Sequence, residues 1–212
     1  MTPRRFVVGL TGGIGTGKSS ALSAFESFGA STVSLDQIAH EQAKPGRAGY
    51  RAIIRDFGSC ILNPNGTIDR ALLGRVVFGD KKARLGLEAA IHPSILREMN
   101  RLIGRLKGVV IVDVPLLFEK SLQKNFDATI LIACHTALQI KRVVRRDGLK
   151  PSEARRRIKA QMSLARKREL ADVSIDNNAT LTDLKKKVRQ YHEGLRLLHG
   201  GISHGNNLST YD

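Results

Sequence analysis

The residues best equipped for chemistry stand near the start of the chain. Gly12-Gly13-Ile14-Gly15-Thr16-Gly17-Lys18-Ser19 fits the spacing G-x-x-x-x-G-K-[ST] at every fixed position. Loops of this pattern turn successive backbone N–H groups inward and form a nest for phosphate oxygens. Gly12, Gly15 and Gly17 lack the Cβ atoms that would block close approach or forbid positive φ. Lys18 reaches toward β- and γ-phosphates as a point charge, and the Ser19 hydroxyl is placed to ligate Mg²⁺. A helix beginning here adds its partial positive charge to the same anion. The expected contact set for a nucleotide is therefore Gly12, Gly13, Ile14, Gly15, Thr16, Gly17, Lys18, Ser19 and Ser20.

Other candidates lie further along. Asp36 follows a short apolar segment, at the sheet edge where open α/β folds bind ligands. A carboxylate there can orient or deprotonate an attacking hydroxyl, and the same position suits a helix N-cap for residues 37–43. Asp113 ends an apolar run as a Walker-B aspartate does, and serves either Mg²⁺ or nearby backbone. Arg142, Arg145 and Arg146, with Arg155, Arg156 and Arg157, flank the turn signal Asp147-Gly148. Arginine suits phosphate because its planar fork donates two parallel bonds and keeps its charge. His92, before Pro93, reads by default as a helix-end histidine with a satisfied core hydrogen bond.

These groups need elements to position them. Residues 5–10 have strand character, and Ala21, Leu22, Phe25 and Phe28 recur at helical spacing after the loop, giving strand, loop and helix in order. A second strand is expected over Thr32–Leu35, then helical patterning from 37 to 108. Within it Asp69 is an expected N-cap, Asn63-Pro64-Asn65-Gly66 a turn, and His92-Pro93 the end of a helix. Some seventy helical residues exceed an ordinary crossover, so 37–108 is expected to be an inserted acceptor-binding subdomain. Val109–Val114, Ala128–Ala133 and Ala171–Asp176 supply further strands, with helices over 136–146 and 181–198 and a frayed tail over 200–212. The expected architecture is α/β, three-layered, with a five-stranded mostly parallel sheet built from 5–36, 109–135 and 171–198.

Composition sets bounds on the rest. The 212 residues carry 35 Lys and Arg against 19 Asp and Glu, a net charge of +16. Residues 141–168 alone hold twelve basic and two acidic side chains. Such a segment fits nucleic acid, a polyanionic small ligand or a solvated helix pair, and the phosphate loop favours the polyanionic ligand. A basic segment closing over phosphates as a lid would exclude water. Three Tyr, seven Phe and no Trp offer little stacking for single strands. No stretch approaches the roughly 20 apolar residues of a membrane span. Cys60 and Cys134 lack metal-ligand spacing and read as buried reduced thiols, which suits a cytoplasmic protein.

Taken together these stretches resemble the dephospho-coenzyme A kinase family. The matching pieces are Gly9–Ser19, Asp36 with Ile38-Ala39, Pro45-Gly46, His92-Pro93, Val114-Pro115-Leu116-Leu117-Phe118-Glu119, Arg142 with Arg146-Asp147, and Ile175-Asp176-Asn177-Asn178. The resemblance covers residues 5 to 198 and implies a nucleoside-monophosphate-kinase-like fold with core, CoA and lid regions. It implies transfer of phosphate from ATP, with Mg²⁺, to the ribose 3′-hydroxyl of dephospho-CoA. On that footing Lys18, Asp36 and Arg146 are the catalytic set, Asp36 activating the hydroxyl and Arg146 contacting ATP phosphates from the lid. Arg142 and Asn177 fall on the nucleotide side, and His92, Leu116, Leu117 and Glu119 on the acceptor side. Two positions depart from the family pattern: Ser34-Leu35-Asp36 stands for Asp-Ala-Asp, and His40 for a common arginine. The competing readings are another small-molecule kinase with this loop, such as a nucleoside monophosphate kinase, and a basic nucleic-acid-associated ATPase.

Overall fold

The computed structural model describes residues 5–202. Strand β1 (Arg5–Gly12) runs into the glycine loop, and α1 (Lys18–Ser27) begins directly after it. Strands β2 (Ser31–Ser34), β3 (Gly108–Asp113), β4 (Ala128–Ala133) and β5 (Val173–Asp176) complete one sheet in the order β2-β3-β1-β4-β5. The pairs β1·β3, β1·β4 and β4·β5 are all parallel. The central strands are apolar on both faces, as a sheet flanked by helices requires. Val8, Leu10, Ile111, Ile130, Ile132 and Ile175 meet Ala21, Ala24 and Phe25 of α1 and Leu184, Val188 and Leu195 of α9 (Leu181–Ile202) in one core. Each Val, Leu, Ile or Phe side chain among them contributes about 1.5–3 kcal/mol when fully buried. The tail expected over 200–212 falls mainly on residues 203–212, outside the described residues; α9 itself extends through Ile202.

The remaining elements of this unit follow β4. Helices α6 (Thr136–Asp147), α7 (Pro151–Lys159) and α8 (Leu164–Leu170) lead from β4 to β5. Gly148, in the left-handed region at φ 66°, ends α6, and Pro151 opens α7, where its missing N–H needs no partner.

The described residues divide into two compact units, one of 5–33 with 106–202 and the other Ser34–Arg105. In the second unit, α2 (Leu35–Gln42), α3 (Ala48–Phe57) and α4 (Arg70–Gly79) pack on the long α5 (Lys81–Ile103). Ile53, Ile61, Ile68 and Leu73 form its core, with Tyr50, Phe57, Leu87 and Ile91 around them. The Asn63–Gly66 turn is present, with Gly66 at φ 77° and Leu62 bridged to Ile68. Asp69 caps α4, its side chain accepting from Leu72 N at 2.9 Å.

Three expectations are corrected. Helix α5 does not stop at His92-Pro93 but runs through it. Proline removes one hydrogen bond and costs about 3 kcal/mol inside a helix. Ile95, Met99 and Ile103, buried just beyond it, offset that loss, and the N-terminus is held by Asp80, which accepts from Lys82 N and Ala83 N. The second strand ends at Ser34, not Leu35, because Ser34 is the N-cap of α2; its Oγ accepts from Gln37 N at 3.3 Å. Asp36 is therefore no cap and lies exposed in the first turn of α2. Cys60 is exposed, whereas Cys134 is buried: Cys60 sits in a short 3-10 turn after α3 and points away from that unit's core.

Candidate active site

The glycine loop takes its shape from its own residues first. Gly15 and Gly17 adopt φ of 75° and 89°, a region closed to most side chains. A Cβ on Gly12 would lie 2.6 Å from Thr16 Oγ1 and 2.9 Å from Ile132 O. Thr16 closes the loop, donating from its N–H (3.2 Å) and its Oγ1 (2.8 Å) to Gly13 O. Lys18 is the first residue of α1, and Ala21 N is the donor that bonds back to Gly17 O at 3.1 Å. The N–H groups of Lys18, Ser19 and Ser20 thus belong to the unpaired first turn.

Four side chains from distant sequence hold this loop from outside. Gln139, on the buried face of α6, donates from Nε2 to Ile14 O at 2.8 Å. Gln161, just past α7, accepts from Ile14 N at 2.8 Å through Oε1. Arg142 donates to Thr16 O (3.3 Å), to Gly15 O (3.5 Å) and to Asn177 O (3.0 Å). Asn177, buried after β5, donates from Nδ2 to Thr16 O at 2.8 Å. A Cβ on Gly17 would collide with that amide. Outward-facing carbonyls are thereby satisfied, which leaves the inward N–H groups for an anion.

Lys18 Nζ forms an ion pair with Asp113, the last residue of β3. The pocket around Lys18 holds about 670 Å³ and is lined by the loop, Ser19, Ser20, Pro115, Arg142, Arg145, Arg146 and Gln161. Arg145 and Arg146 come from the last turn of α6. Arg146 grips the neighbouring Asp147 with both arms of its fork, at 2.6 and 3.0 Å. That pairing raises the Arg146 pKa and holds the Asp147 carboxyl below its ordinary range. Beneath the loop, the Cys134 thiol lies 3.9 Å from Gly15 O, and burial pushes its pKa up, so it is inert as a nucleophile.

The segment 115–119 leaves the sheet beside this pocket. Val114 N bonds to Leu10 O at 2.9 Å and Thr11 Oγ1 donates to Pro115 O at 3.3 Å, fixing its exit. Leu116 is exposed, whereas the side chains of Leu117 and Phe118 are buried. Glu119 Oε1 lies 2.8 Å from Nζ of Lys167, whose side chain is completely enclosed.

In the second unit, His92 lies in mid-helix, and its Nε2 is buried without a hydrogen-bond partner. The expectation of a satisfied helix-end histidine is corrected: α5 continues, so no helix terminus is available to pair the ring. The sequence reading missed Gln139, Gln161 and Lys167. Gln139 carried a signal, since it stands one turn before buried Val143 on the apolar face of α6. Gln161 and Lys167 carried none that separated them from their polar neighbours.

A parallel sheet whose first strand ends in a glycine nest, with a lysine at the following helix N-terminus and arginines lining the same pocket, defines a P-loop nucleotide-binding protein of the small-molecule kinase type. The dephospho-CoA kinase family model matches residues 6–183. A dephospho-CoA kinase of Methylococcus capsulatus is 40% identical over 193 residues, spanning 91% of this chain and 98% of that protein. Among solved structures, TT1252 from Thermus thermophilus is 30% identical with a TM-score of 0.75, over 96% of this chain and 100% of that one. The dephospho-CoA kinase from Campylobacter jejuni is 28% identical with a TM-score of 0.68, over 92% and 98%. The chain belongs to the dephospho-CoA kinase family and is a phosphotransferase.

Proposed function

We propose that the chain transfers the γ-phosphoryl group of ATP to the ribose 3′-hydroxyl of dephospho-CoA, giving coenzyme A and ADP. The observation that carries this reading is the pre-shaped glycine nest with Lys18 and Arg145–Arg146 on one pocket in a chain of this family. The nest and the first turn of α1 hold the nucleotide phosphates. Lys18 leaves Asp113 for the β- and γ-oxygens, where its charge follows the group in flight. Arg146 exchanges Asp147 for phosphate and so reports nucleotide arrival to the segment 141–168, which we read as the lid. Asp36, exposed and free of capping duty, orients the acceptor hydroxyl and takes its proton. The insertion 37–108, with His92, is read as the acceptor-binding region, and Leu116, Leu117 and Glu119 as further acceptor-side residues.

Mg²⁺ fits the same pocket, since Ser19 lines it and Asp113 adjoins Lys18, both hard oxygen donors. Such an ion takes one or two protein oxygens and completes its shell with phosphates and water. When bound it neutralises charge on the transferred group. No helix among the described residues is long and apolar enough to cross a membrane, and a cytoplasmic location goes with the free thiols.

Turnover with ATP against a panel of dephospho-CoA and nucleoside monophosphates tests the acceptor. Dephospho-CoA is expected to be the fastest; a monophosphate that outpaces it would replace this assignment with a nucleoside monophosphate kinase.

A further inference from the structure

Gln161 is more than a brace for the loop. A backbone N–H can only donate, so Ile14 N fixes which end of the Gln161 amide faces the loop: Oε1, at 2.8 Å. The Nε2 group, with two N–H donors and no partner among the described residues, is the end left over. The same side chain lines the pocket that holds Lys18, Ser19, Arg145 and Arg146. Gln139, by contrast, spends its Nε2 on Ile14 O and is almost fully buried. The two glutamines thus grip one residue, Ile14, in opposite senses through its N–H and its C=O, and of the two only Gln161 presents a spare donor to the pocket. Gly13 makes room for Gln139, since a Cβ there would lie 2.9 Å from its Nε2.

We infer that Gln161 is a nucleotide-binding residue whose Nε2 donates to a phosphate oxygen of the bound nucleotide while its Oε1 stays on Ile14 N. Because Gln161 lies past α7, this bond ties the end of the basic segment to the loop and the ligand together. The inference rests on the reading of the pocket as a nucleoside triphosphate site.

Gln161→Glu and Gln161→Met separate the two roles. Glutamate keeps an oxygen for Ile14 N but replaces the donor with a negative charge beside phosphate. Methionine keeps the length and loses both functions. Calorimetric titration with ATP, ADP and adenosine is the readout, with melting temperature as the check on folding. Gln161→Met should weaken ATP and ADP by roughly 10-fold, the scale of one hydrogen bond to a charged group, and leave adenosine unchanged. Gln161→Glu should bind ATP more weakly than Gln161→Met. Glutamate binding as tightly as methionine or tighter would overturn the inference and leave Gln161 a brace. Lys18→Ala with unchanged ATP affinity would sink the pocket reading itself, and this inference with it.

Discussion

Lys167 and Glu119 form an ion pair, 2.8 Å from Nζ to Oε1, in which the lysine side chain is wholly enclosed. Neither Lys167 Nζ nor either Glu119 oxygen makes a well-aligned hydrogen bond, so the pair is held by charge alone. It fastens α8, in which the basic segment 141–168 ends, to the end of the 115–119 segment that leaves β3.

Breaking such a pair from one side leaves a buried, uncompensated charge, which costs about 3–5 kcal/mol. Lys167→Met should therefore lower the melting temperature sharply, while Lys167→Met with Glu119→Leu should recover much of the loss. A single variant as stable as the parent in denaturant titration would show that the pair contributes little.

Asp36→Asn is expected to cut turnover by roughly 10² to 10⁴, because the amide cannot take a proton. Stability should barely change, since Ser34 and not Asp36 caps α2; only a first-turn charge of about 0.3–1 kcal/mol is lost. Near-normal turnover in this variant would move the proton acceptor elsewhere.

Much of this site was legible because its signals are local. Eight consecutive residues, Gly12 to Ser19, specify the loop, and the apolar run before Asp113 specifies the strand that carries it. The cap of α2 was misread because Ser34 and Asp36 are both good cap residues two positions apart, and only the geometry of Gln37 N decides between them. Pro93 was misread because local rules end a helix there, while burial of Ile95, Met99 and Ile103 keeps it going. The grip on Ile14 lay beyond reach of pattern, since its partners stand 125 and 147 positions away.

The basic segment should behave as a lid. ATP is expected to protect residues 141–168 from limited proteolysis, and Arg146→Ala to raise the ATP concentration needed for half-maximal rate. Salt-sensitive binding of DNA or RNA at micromolar affinity, with no protection by ATP, would favour a nucleic-acid track in its place.

Stability should also depend on His192. Its ring is 3% exposed and meets Phe25 edge-on at 6.4 Å. Burial first, and then Arg196, lowers its pKa from the ordinary 6.5. The unfolded chain therefore takes up the proton first, and stability is complete above pH 6.5 and lost as pH falls below it. Melting temperature should decline as pH falls through 6.5, above the window in which carboxylates titrate. His192→Leu should flatten that slope; an unchanged slope would remove His192 as its source.

The most direct test of the phosphotransfer reading is product stoichiometry with ATP, Mg²⁺ and dephospho-CoA. One coenzyme A, phosphorylated at the ribose 3′-oxygen, should appear for each ADP released, and Lys18→Ala should slow both by roughly 10²-fold or more. Release of ADP without coenzyme A, or phosphate found at another position of the acceptor, would contradict it.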